Sequence, residues 1–440
     1  MISTLAARPA DVEPPDSPAG RQLAWVLDMI RGGAATITEG DVIAHFGAEF
    51  LAAVPAPRHV AAFHEIADAI GDFSLARVQA RSPILLLAEL VTDDDVVYVT
   101  CGTDDEPPHL IVGLGFRSAE SPRPGGAATP WRDVAGEGAP FERTSALPES
   151  VALDVDGELH AAREVGRVLG LAASVVRAGE VVYEVCVGLA SLATRVPVTH
   201  DTVFPLGSIA KTVTAVIVMQ LRDEGRLDLD DVAAAGGTNA TYRQLLTHTP
   251  AGRYQYGNEG YEALGRAIEH LTGSSYPDEV RRRILDPLGM AHSDAVLSDR
   301  VERSRLAAGY DAEFDDLVPS PPAPRPLAPA AGSLFCSLAD AARYAAALAA
   351  APALLADATF AEMVSPHADA GVLGQQGIGF LLADIDGRRA AWHGGQWPGF
   401  RASLWLVRDA ATAAIVVANT AAPGFEWAGR RVLERVLRGG

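Results

Sequence analysis

Lysine is almost absent from this chain of 440 residues: all but one of its 36 basic side chains are arginine. The exception is Lys211. Aspartate and glutamate together number 56, which leaves a formal net charge of −20 at pH 7. A chain with this excess of negative charge is not expected to bind nucleic acid or an anionic membrane surface.

Cysteine is also scarce. Cys101, Cys186 and Cys336 lie far apart and form no Cys-x-x-Cys pair, which is typical of reduced thiols rather than of a disulfide framework. The 11 histidines include no His-Glu-x-x-His motif, so no metal site is predicted. Long apolar runs and a signal-peptide pattern are missing as well. We therefore expect a cytoplasmic protein without a membrane anchor, whose oligomeric state these features do not predict.

The length of the chain predicts two domains. Residues 1–16 read as a disordered tail. In residues 17–117, three segments of helical periodicity precede four β-rich runs that polar turns separate, which predicts a small α+β domain with an antiparallel meander. Residues 118–150 are rich in Pro, Gly, Ala and Ser and have no sustained period, so we expect a linker there.

Residues 151–440 predict a second α+β domain. The segment opens with a helical run and two strands joined by a turn at residues 177–180. It closes with four strand-like runs, the first two of which flank a turn at Asp386-Gly387, and with an amphipathic helix. The simplest assembly is one antiparallel sheet built from both ends of the domain, covered by the terminal helices, with a mainly helical block inserted between them.

The single lysine lies in the stretch FPLGSIAKTVTAVIVMQL, residues 204–221. The stretch is apolar nearly all round, which predicts a buried helix. Ser208 opens this helix, and Lys211 lies one turn further along the same face. Burial lowers the pKa of a lysine because the charged form loses its hydration, and a neutral amine can accept a serine proton, whereas arginine stays protonated. The alternative is an N-cap serine beside a surface lysine.

Two further motifs follow Ser-x-x-Lys in the order seen in class C β-lactamases, serine DD-peptidases and family VIII-type esterases. Segments such as LLTHTPAG, ILDPLGM and PAAGSLFCSLADAARY accompany them. Residues 151–440 therefore resemble this superfamily, which implies a β-lactamase/DD-peptidase-like α/β sandwich and acyl-enzyme chemistry. In this chain the three motifs are Ser208-Ile209-Ala210-Lys211, Tyr256-Gly257-Asn258 and His393-Gly394-Gly395.

The resemblance implies a role for each motif. Ser208 resembles the nucleophile, and Lys211 the residue that lowers its pKa and holds Tyr256 in place. Tyr256 resembles the base that passes the serine proton to the leaving group. Asn258 would bind the acyl group or Lys211. The backbone N–H groups of Ser208 and Gln396 would form the oxyanion hole beside His393, Gly394 and Gly395.

Other interpretations of these residues stay open. Tyr256 taken alone is a core phenol with an exposed tip, and His393 could simply satisfy a backbone group at a strand edge. Trp392, Trp397 and Phe400 are candidate walls of an acyl pocket, although aromatic side chains beside a sheet are usually core residues.

The first domain has a resemblance of its own. The pattern HFGAEFLAAVPAPR and the closing GLGFR are similar to the N-terminal module of β-lactamase-like proteins such as that of the clavulanic acid gene cluster. That module resembles the SnoaL/steroid-isomerase cone fold. His45, His59, His64 and Asp68 are candidates for lining a pocket in it, but a helper or interface role is favoured because no catalytic motif is present.

The chain departs from the family pattern in two places. The stretch THTPAGRYQYGN joins LLTHT to Tyr256 almost directly, where the family has a few tens of residues that wall the substrate cleft. We expect an open site, or one that the first domain or a second subunit closes. His393 also stands where the lactamases commonly have lysine, and Gly394 where a hydroxyl residue follows it, so recognition of a substrate carboxylate should be weak.

These features predict a serine esterase or amidase that acts on a small ester or amide through an acyl-enzyme, with weak β-lactamase activity at most. No metal or organic cofactor is implied, since side chains and water suffice. Two alternatives remain. One is an acyltransferase of small-molecule biosynthesis, which analysis of products formed with added nucleophiles would distinguish. The other is a binding protein with a disabled lactamase fold, which would form no covalent adduct.

Overall fold

The computed structural model describes residues 9–32, 37–47, 50–51, 54–104, 107–118, 128–135, 141–313, 316–320, 328–350, 354–370, 373–422 and 424–439. The chain forms two compact units, Met1–Arg123 and Pro124–Gly440.

In its described part, the first unit consists of three helices followed by four strands. The first helix begins after Ser17, whose hydroxyl accepts a hydrogen bond from the Gly20 N–H at 3.1 Å. Thr38 and Asp41 cap the second helix reciprocally, as their spacing predicts. The helices are α1 (Pro18–Arg31), α2 (Glu39–His45) and α3 (Ala56–Ile70).

The four strands form an antiparallel meander in the order of the chain. Apolar side chains of the helices, among them Leu23 and Phe63, pack with Leu86 and Val99 of the sheet in one core. The helices-then-meander order predicted for an α+β domain is confirmed. The strands are β1 (Phe73–Ser82), β2 (Leu85–Thr92), β3 (Val96–Thr103) and β4 (Ile111–Ser118).

The chain before α1 is held against β1 in its described part. The Val12 N–H donates to the Leu75 carbonyl at 2.8 Å, and the Asp11 carboxylate accepts from the Leu75 N–H at 2.6 Å and from Arg31 at 2.9 Å. These bonds differ from the disordered tail expected over residues 1–16. Residues 1–8 lie outside the described residues.

The second unit has fourteen described strands, of which ten lie towards its two ends and four short ones lie between them. They are β5 (Thr129–Pro130), β6 (Phe141–Ser145), β7 (Gly170–Arg177), β8 (Glu180–Gly188), β9 (Val203–Pro205), β10 (Tyr310–Glu313), β11 (Asp316–Pro319), β12 (Phe335–Ser337), β13 (Ala368–Asp369), β14 (Gln375–Gln376), β15 (Leu381–Ile385), β16 (Arg388–Trp397), β17 (Phe400–Val407) and β18 (Thr412–Ala418).

One antiparallel sheet dominates this unit. Within the described chain it has nine strands, in the order β13-β14-β15-β16-β17-β18-β7-β8-β6. Strand β18 pairs with β7 and so joins the two ends of the domain, as predicted. The turn at Ala178-Gly179 and the turn at Asp386-Gly387 both have positive φ at their two central residues, which suits two-residue hairpins.

Helices cover both faces of the sheet. The two terminal helices, α5 and α12, pack together on one face, while α10 packs on β7, β17 and β18 from the other. The helix that follows Ser208, here called the serine helix, packs in the same hydrophobic core as α10. The helices are α4 (Arg132–Ala135), α5 (Glu149–Gly166), α6 (Ala210–Asp223, the serine helix), α7 (Tyr242–Leu246), α8 (Asn258–Thr272), α9 (Tyr276–Val280), α10 (Leu338–Ala349), α11 (Asp357–Met363) and α12 (Ala428–Arg438).

The segment 118–150 differs from the linker that its composition suggests. Strand β6 pairs with β8 at the edge of the large sheet, and β5 pairs with β11. Trp131 is buried against Leu169 and Tyr310. This segment is ordered because it forms sheet hydrogen bonds with strands that are distant in the sequence. The local composition of the segment does not indicate such partners. Residues 119–127 and 136–140 lie outside the described residues.

None of the helices in the described part of the chain combines the length and hydrophobicity that crossing a bilayer requires.

Candidate active site

Ser208 lies in the short 3₁₀ turn Gly207–Ile209 that leads into the serine helix. The preceding strand β9 pairs with β12, and the Leu206 N–H donates to the Leu334 carbonyl at 2.7 Å. The serine is partly exposed, whereas the helix that follows is buried nearly all round, as its apolar sequence predicts. Ser208 is therefore a partly exposed residue at the start of a buried helix.

Lys211 is completely buried one helical turn after Ser208. Its Nζ contacts three oxygen atoms: Ser208 Oγ at 3.1 Å, Asn258 Oδ1 at 2.7 Å and the Ala331 carbonyl at 2.7 Å. Two of these oxygens, the amide Oδ1 and the carbonyl, can only accept hydrogen bonds. The serine hydroxyl can either donate or accept.

This geometry satisfies both protonation states of the lysine. A neutral amine donates its two hydrogens to Asn258 and Ala331, and its lone pair is left to accept a hydrogen bond from the Ser208 hydroxyl. After the proton moves, the ammonium donates to all three oxygens. Proton transfer from Ser208 to Lys211 therefore needs no rearrangement of heavy atoms.

Burial lowers the pKa of Lys211 to about 7, because the charged form is desolvated, although the carboxylates of Glu262 and Glu259 act in the opposite direction. At that pKa about half of the lysine is neutral near pH 7. A group whose pKa lies near the working pH can both accept and release a proton, so Lys211 can return to its neutral form after each reaction cycle.

A turn at Ala330–Ala331 supplies the backbone carbonyl that Lys211 contacts, and two helices hold this turn. The Glu262 carboxylate accepts from the Ala330 N–H at 3.0 Å, and the Thr214 hydroxyl donates to the Ala330 carbonyl at 2.6 Å. Glu262 follows Asn258 by four residues on α8, so both face the same side of that helix. Glu262 and Thr214 therefore position the lysine rather than contact it.

Tyr256 lies beside the lysine in the connection before α8. Lys211 Nζ lies 4.8 Å from the centroid of its ring, over the face. The ring also packs against His248, with centroids 4.4 Å apart. His248 holds the loop through its carbonyl, which accepts from the Gln255 N–H at 2.6 Å, and through Nδ1, which accepts from the Gly257 N–H at 3.3 Å.

The edge of strand β16 faces the serine turn. Strand β15 pairs with β16 only as far as Trp392, so among the described strands residues 393–397 pair with β17 alone. A Cβ on Gly207 would come within 2.5 Å of the Gln396 backbone nitrogen, and a Cβ on Gly395 within 2.0 Å of the Leu206 carbonyl. The absence of side chains at these two glycines lets the backbones of the serine turn and the strand edge lie against each other.

His393 and Gly394 lie on the same stretch of β16. The His393 ring is buried, its Nδ1 is 2.7 Å from the Gly394 carbonyl, and its centroid is 6.3 Å from that of Tyr256. Burial and the nearby Lys211 lower the pKa of His393 to about 3. The pKa of His248 is also lowered well below its usual value, first by burial. Both imidazoles are therefore neutral at physiological pH.

The three aromatic residues proposed as acyl-pocket walls are differently placed. Trp392 is buried on the opposite face of the sheet, where it stacks on Trp405 with centroids 4.9 Å apart, because neighbouring side chains of a strand point to opposite faces. Phe400 is buried in the core beside Gly309. Trp397 is partly buried against Phe335. The structure thus removes Trp392 from the candidate site.

A cleft of about 360 Å³ lies beside Tyr256. His248, Glu259 and Arg266 are among the residues that line it. Neither Ser208 nor Lys211 lines it, and the same holds for the three aromatic candidates Trp392, Trp397 and Phe400. The cleft lies along the short connection between His248 and Asn258 and meets the candidate site at Tyr256.

The second unit matches a family model described as Beta-lactamase over residues 155–437. The chain belongs to the beta-lactamase family. A second model, described as ORF 12 gene product N-terminal, matches residues 14–105. The resemblance of the second domain to the β-lactamase superfamily and that of the first domain to the N-terminal module are thereby confirmed. The likeness of that module to the SnoaL cone fold stays a prediction.

Relatives in this family have varied names. The chain is 32% identical to Penicillin-binding protein 4 of Amycolatopsis lactamdurans over 211 residues, which cover 37% of this chain and 55% of that protein. It is 30% identical to Esterase EstB of Burkholderia gladioli over 190 residues, or 37% of this chain and 48% of the esterase. The chain thus spans about half the length of these curated relatives.

Solved structures support the fold of the family domain. The octameric penicillin-binding protein homologue from Pyrococcus abyssi superimposes with a TM-score of 0.60 at 22% identity, over 65% of this chain and 77% of that one. At this identity the likeness shows the β-lactamase/DD-peptidase fold alone, as predicted for residues 151–440.

Residues of the site that the sequence patterns did not indicate are Glu262, Thr214, Ala331 and Gly207. Glu262 could have been found from its spacing of four residues after Asn258 on a helix. The carbonyl of Ala331 carries no side-chain signal, because any residue supplies one. In the part of the chain that the structure describes, no group of three or more His, Cys, Asp or Glu side chains could hold a metal ion.

The candidate pocket residues of the first unit do not form one cluster. His45 stacks on Trp25 with centroids 3.9 Å apart, and His59 is buried between Phe46 and Phe50. His64 and Asp68 are exposed.

Proposed function

We propose that this protein is a serine hydrolase that cleaves small esters or amides through an acyl-enzyme on Ser208. The observation that carries the proposal is the contact between a completely buried lysine and the serine hydroxyl, with Nζ and Oγ 3.1 Å apart. The family membership of the chain, and an esterase among its relatives, are in keeping with this chemistry.

The reaction begins when neutral Lys211 accepts the Ser208 proton and Oγ attacks the substrate carbonyl carbon. The carbonyl oxygen then becomes an oxyanion, for which the backbone N–H groups of Ser208 and Gln396 are the proposed donors. As the tetrahedral intermediate collapses, the Lys211 ammonium returns its proton to the leaving group, and we propose that the Tyr256 phenol relays it. A water molecule then attacks the acyl-enzyme in the same way. Lys211 accepts the proton of the water and passes it to Ser208 Oγ as the acyl group leaves.

The neutral state of His393 disfavours recognition of a substrate carboxylate. His393 stands where the resemblance places a carboxylate-binding lysine, and its lowered pKa leaves it neutral. A neutral imidazole attracts a substrate carboxylate less than an ammonium does. We therefore propose weak β-lactam hydrolysis at most. The three cysteines are buried and unpaired, in keeping with the cytoplasmic location that we propose.

A covalent adduct tests this proposal directly. A fluorophosphonate probe should add once to the wild-type protein, on the peptide that contains Ser208, when intact mass and peptide mapping are measured. Ser208→Ala should form no adduct. Ser333→Ala is the control. It also removes a serine hydroxyl, but that hydroxyl is buried and donates to the Ala295 carbonyl, with no hydrogen bond to Lys211. This variant should still form the adduct. An unlabelled, folded wild type would instead favour the binding-protein alternative.

The pH dependence of the reaction should report Lys211. The neutral amine is the active form, so kcat/KM for p-nitrophenyl butyrate should rise with pH, with a midpoint at the Lys211 pKa of about 7, and then level off. Neither His248 nor His393 should add a second transition to the pH profile near pH 7, because the pKa of each is lowered well below that of a free imidazole. Rates measured from pH 5 to 9 check this; a profile that falls through pH 7 would contradict a neutral amine as base.

A further inference from the structure

The cleft beside Tyr256 lies on the side of the candidate site where the leaving group departs in the proposed reaction. Tyr256 is the residue that we propose to pass a proton to the leaving group, and it forms part of the wall of the cleft. The volume of about 360 Å³ is that of roughly a dozen molecules of liquid water. The cleft is therefore large enough for a branched alkyl leaving group.

One carboxylate in the wall of this cleft has no counter-ion in the part of the chain that the structure describes. Glu259 is the second residue of α8 and is exposed. Its Oε2 lies beside Gly257, 3.3 Å from the point that a Cβ on this glycine would occupy, and Gly257 also lines the cleft. Within the described chain the carboxylate accepts no hydrogen bond and forms no ion pair. Its charge is therefore available to a ligand.

The positive charges near the cleft do not cancel that of Glu259. Arg266 lines the cleft about 10 Å further along the axis of α8, where its Nε and Nη2 donate to the Gly236 carbonyl at 3.1 and 2.7 Å. Arg253 is exposed and does not line the cleft. Lys211 is mostly neutral at pH 8 because its pKa is about 7, and Glu259 is one of the carboxylates that raise this pKa. The end of the cleft nearest the candidate site is therefore negative.

We propose that the cleft binds a cationic leaving group, the alcohol part of an ester, with its ammonium beside Glu259 and its oxygen beside Tyr256. This inference rests on the reaction proposed at Ser208 and names its substrate class, the esters of amino alcohols. The bond between the acyl carbon and the alcohol oxygen breaks, the acyl group passes to Ser208 Oγ, and the alcohol leaves with the serine proton. Attraction between the two charges stabilises the bound ester, although water at the exposed carboxylate weakens this attraction.

Two esters of the same shape test the preference for charge. Butyrylcholine has a quaternary ammonium that is charged at any pH, and 3,3-dimethylbutyl butyrate has a carbon atom in place of the nitrogen. The ratio of kcat/KM for the first ester to that for the second should fall about tenfold in Glu259→Gln, measured at pH 8 on the full-length protein. Comparing this ratio between proteins cancels the difference in reactivity of the two esters and any effect of the substitution on Lys211.

Glu269→Gln is the matched control. It removes the same charge near the other end of α8, from a residue that does not line the cleft. Glutamine keeps an oxygen that can accept from the Tyr276 N–H, as Glu269 does at 2.8 Å. The ratio in this variant should equal that of the wild type. A glutamate in the first turn of a helix also stabilises the helix, but loss of that role would change the Tm and not the ratio.

Two results would overturn the proposal. The first is an unchanged ratio in Glu259→Gln. The second is an equal fall in Glu269→Gln, which would assign the effect to the net charge of the protein. If either occurs while the wild type still hydrolyses p-nitrophenyl butyrate, the leaving group is wrong and the reaction at Ser208 stands.

Binding of the free alcohols tests the cleft even if the wild type hydrolyses no ester, in which case the proposed reaction fails. Calorimetry should show that choline binds the wild type about tenfold more tightly than 3,3-dimethylbutanol does. Glu259→Gln should lose this difference. Equal binding of the two alcohols to the wild type would overturn the proposal without the need for any variant.

Discussion

Replacing Lys211 with arginine should lower kcat/KM for ester hydrolysis by about 10³-fold, although the positive charge is retained. Arginine cannot lose its proton at working pH, so it cannot accept the proton of Ser208. In the wild type, burial brings the pKa of Lys211 to about 7 and makes the neutral amine available. The loss would show that the chain needs a base at this position and not merely a cation.

Lys211→Met is the matched control for packing. Methionine has nearly the length of lysine and carries no charge, so it can occupy the completely buried position without a desolvation cost. We expect a loss of activity similar to that of the arginine variant. Initial rates and thermal unfolding should be measured on both proteins. Activity above about a tenth of wild type in folded Lys211→Met would exclude the lysine as the base.

Replacing Gly207 with alanine should reduce kcat by about 10²-fold or more, through loss of the oxyanion hole. The new Cβ would stand 2.5 Å from both the nitrogen and the carbonyl oxygen of Gln396, well inside van der Waals contact. The serine turn and the edge of β16 must then separate. The two backbone N–H groups proposed to bind the oxyanion would no longer converge on one point.

Gly225→Ala separates this clash from backbone strain. Gly225 has a φ of +72°, similar to the +55° of Gly207, but nothing lies within 4 Å of the Cβ that alanine would add there. We expect the free energy of unfolding of both variants to fall by about 1–2 kcal/mol from backbone strain, because a side chain is unfavourable at positive φ. Only Gly207→Ala should lose activity in steady-state assays with p-nitrophenyl butyrate. Equal activity in the two variants would contradict the proposed place of Gln396 in the site.

Much of the fold follows from local patterns in the sequence. The helix capped by Thr38 and Asp41, the hairpin turn at Asp386-Gly387 and the buried serine helix are all as expected, because each depends on neighbours a few residues apart. Strand β6, at the edge of the large sheet, is not indicated by its local sequence. Strand β6 has partners about 40 residues away and a composition typical of linkers.

The side-chain alternation of a strand explains the error at Trp392. Period two shows that Trp392 and His393 point to opposite faces of β16, but it does not show which face meets the serine turn. Tertiary packing decides which face that is. Helices α5 and α12 bury the face of the sheet that carries Trp392. The serine turn lies against the edge of β16 at residues 395 and 396.

The sequence by itself determined the candidate nucleophile and base, because Ser208 and Lys211 are three residues apart and a helix brings that spacing to one face. Only the tertiary structure decided what surrounds them. Asn258 and Ala331, the other two contacts of Lys211, lie 47 and 120 residues away along the chain. Burial of the lysine among such distant groups lowers its pKa, and no local pattern specifies that environment.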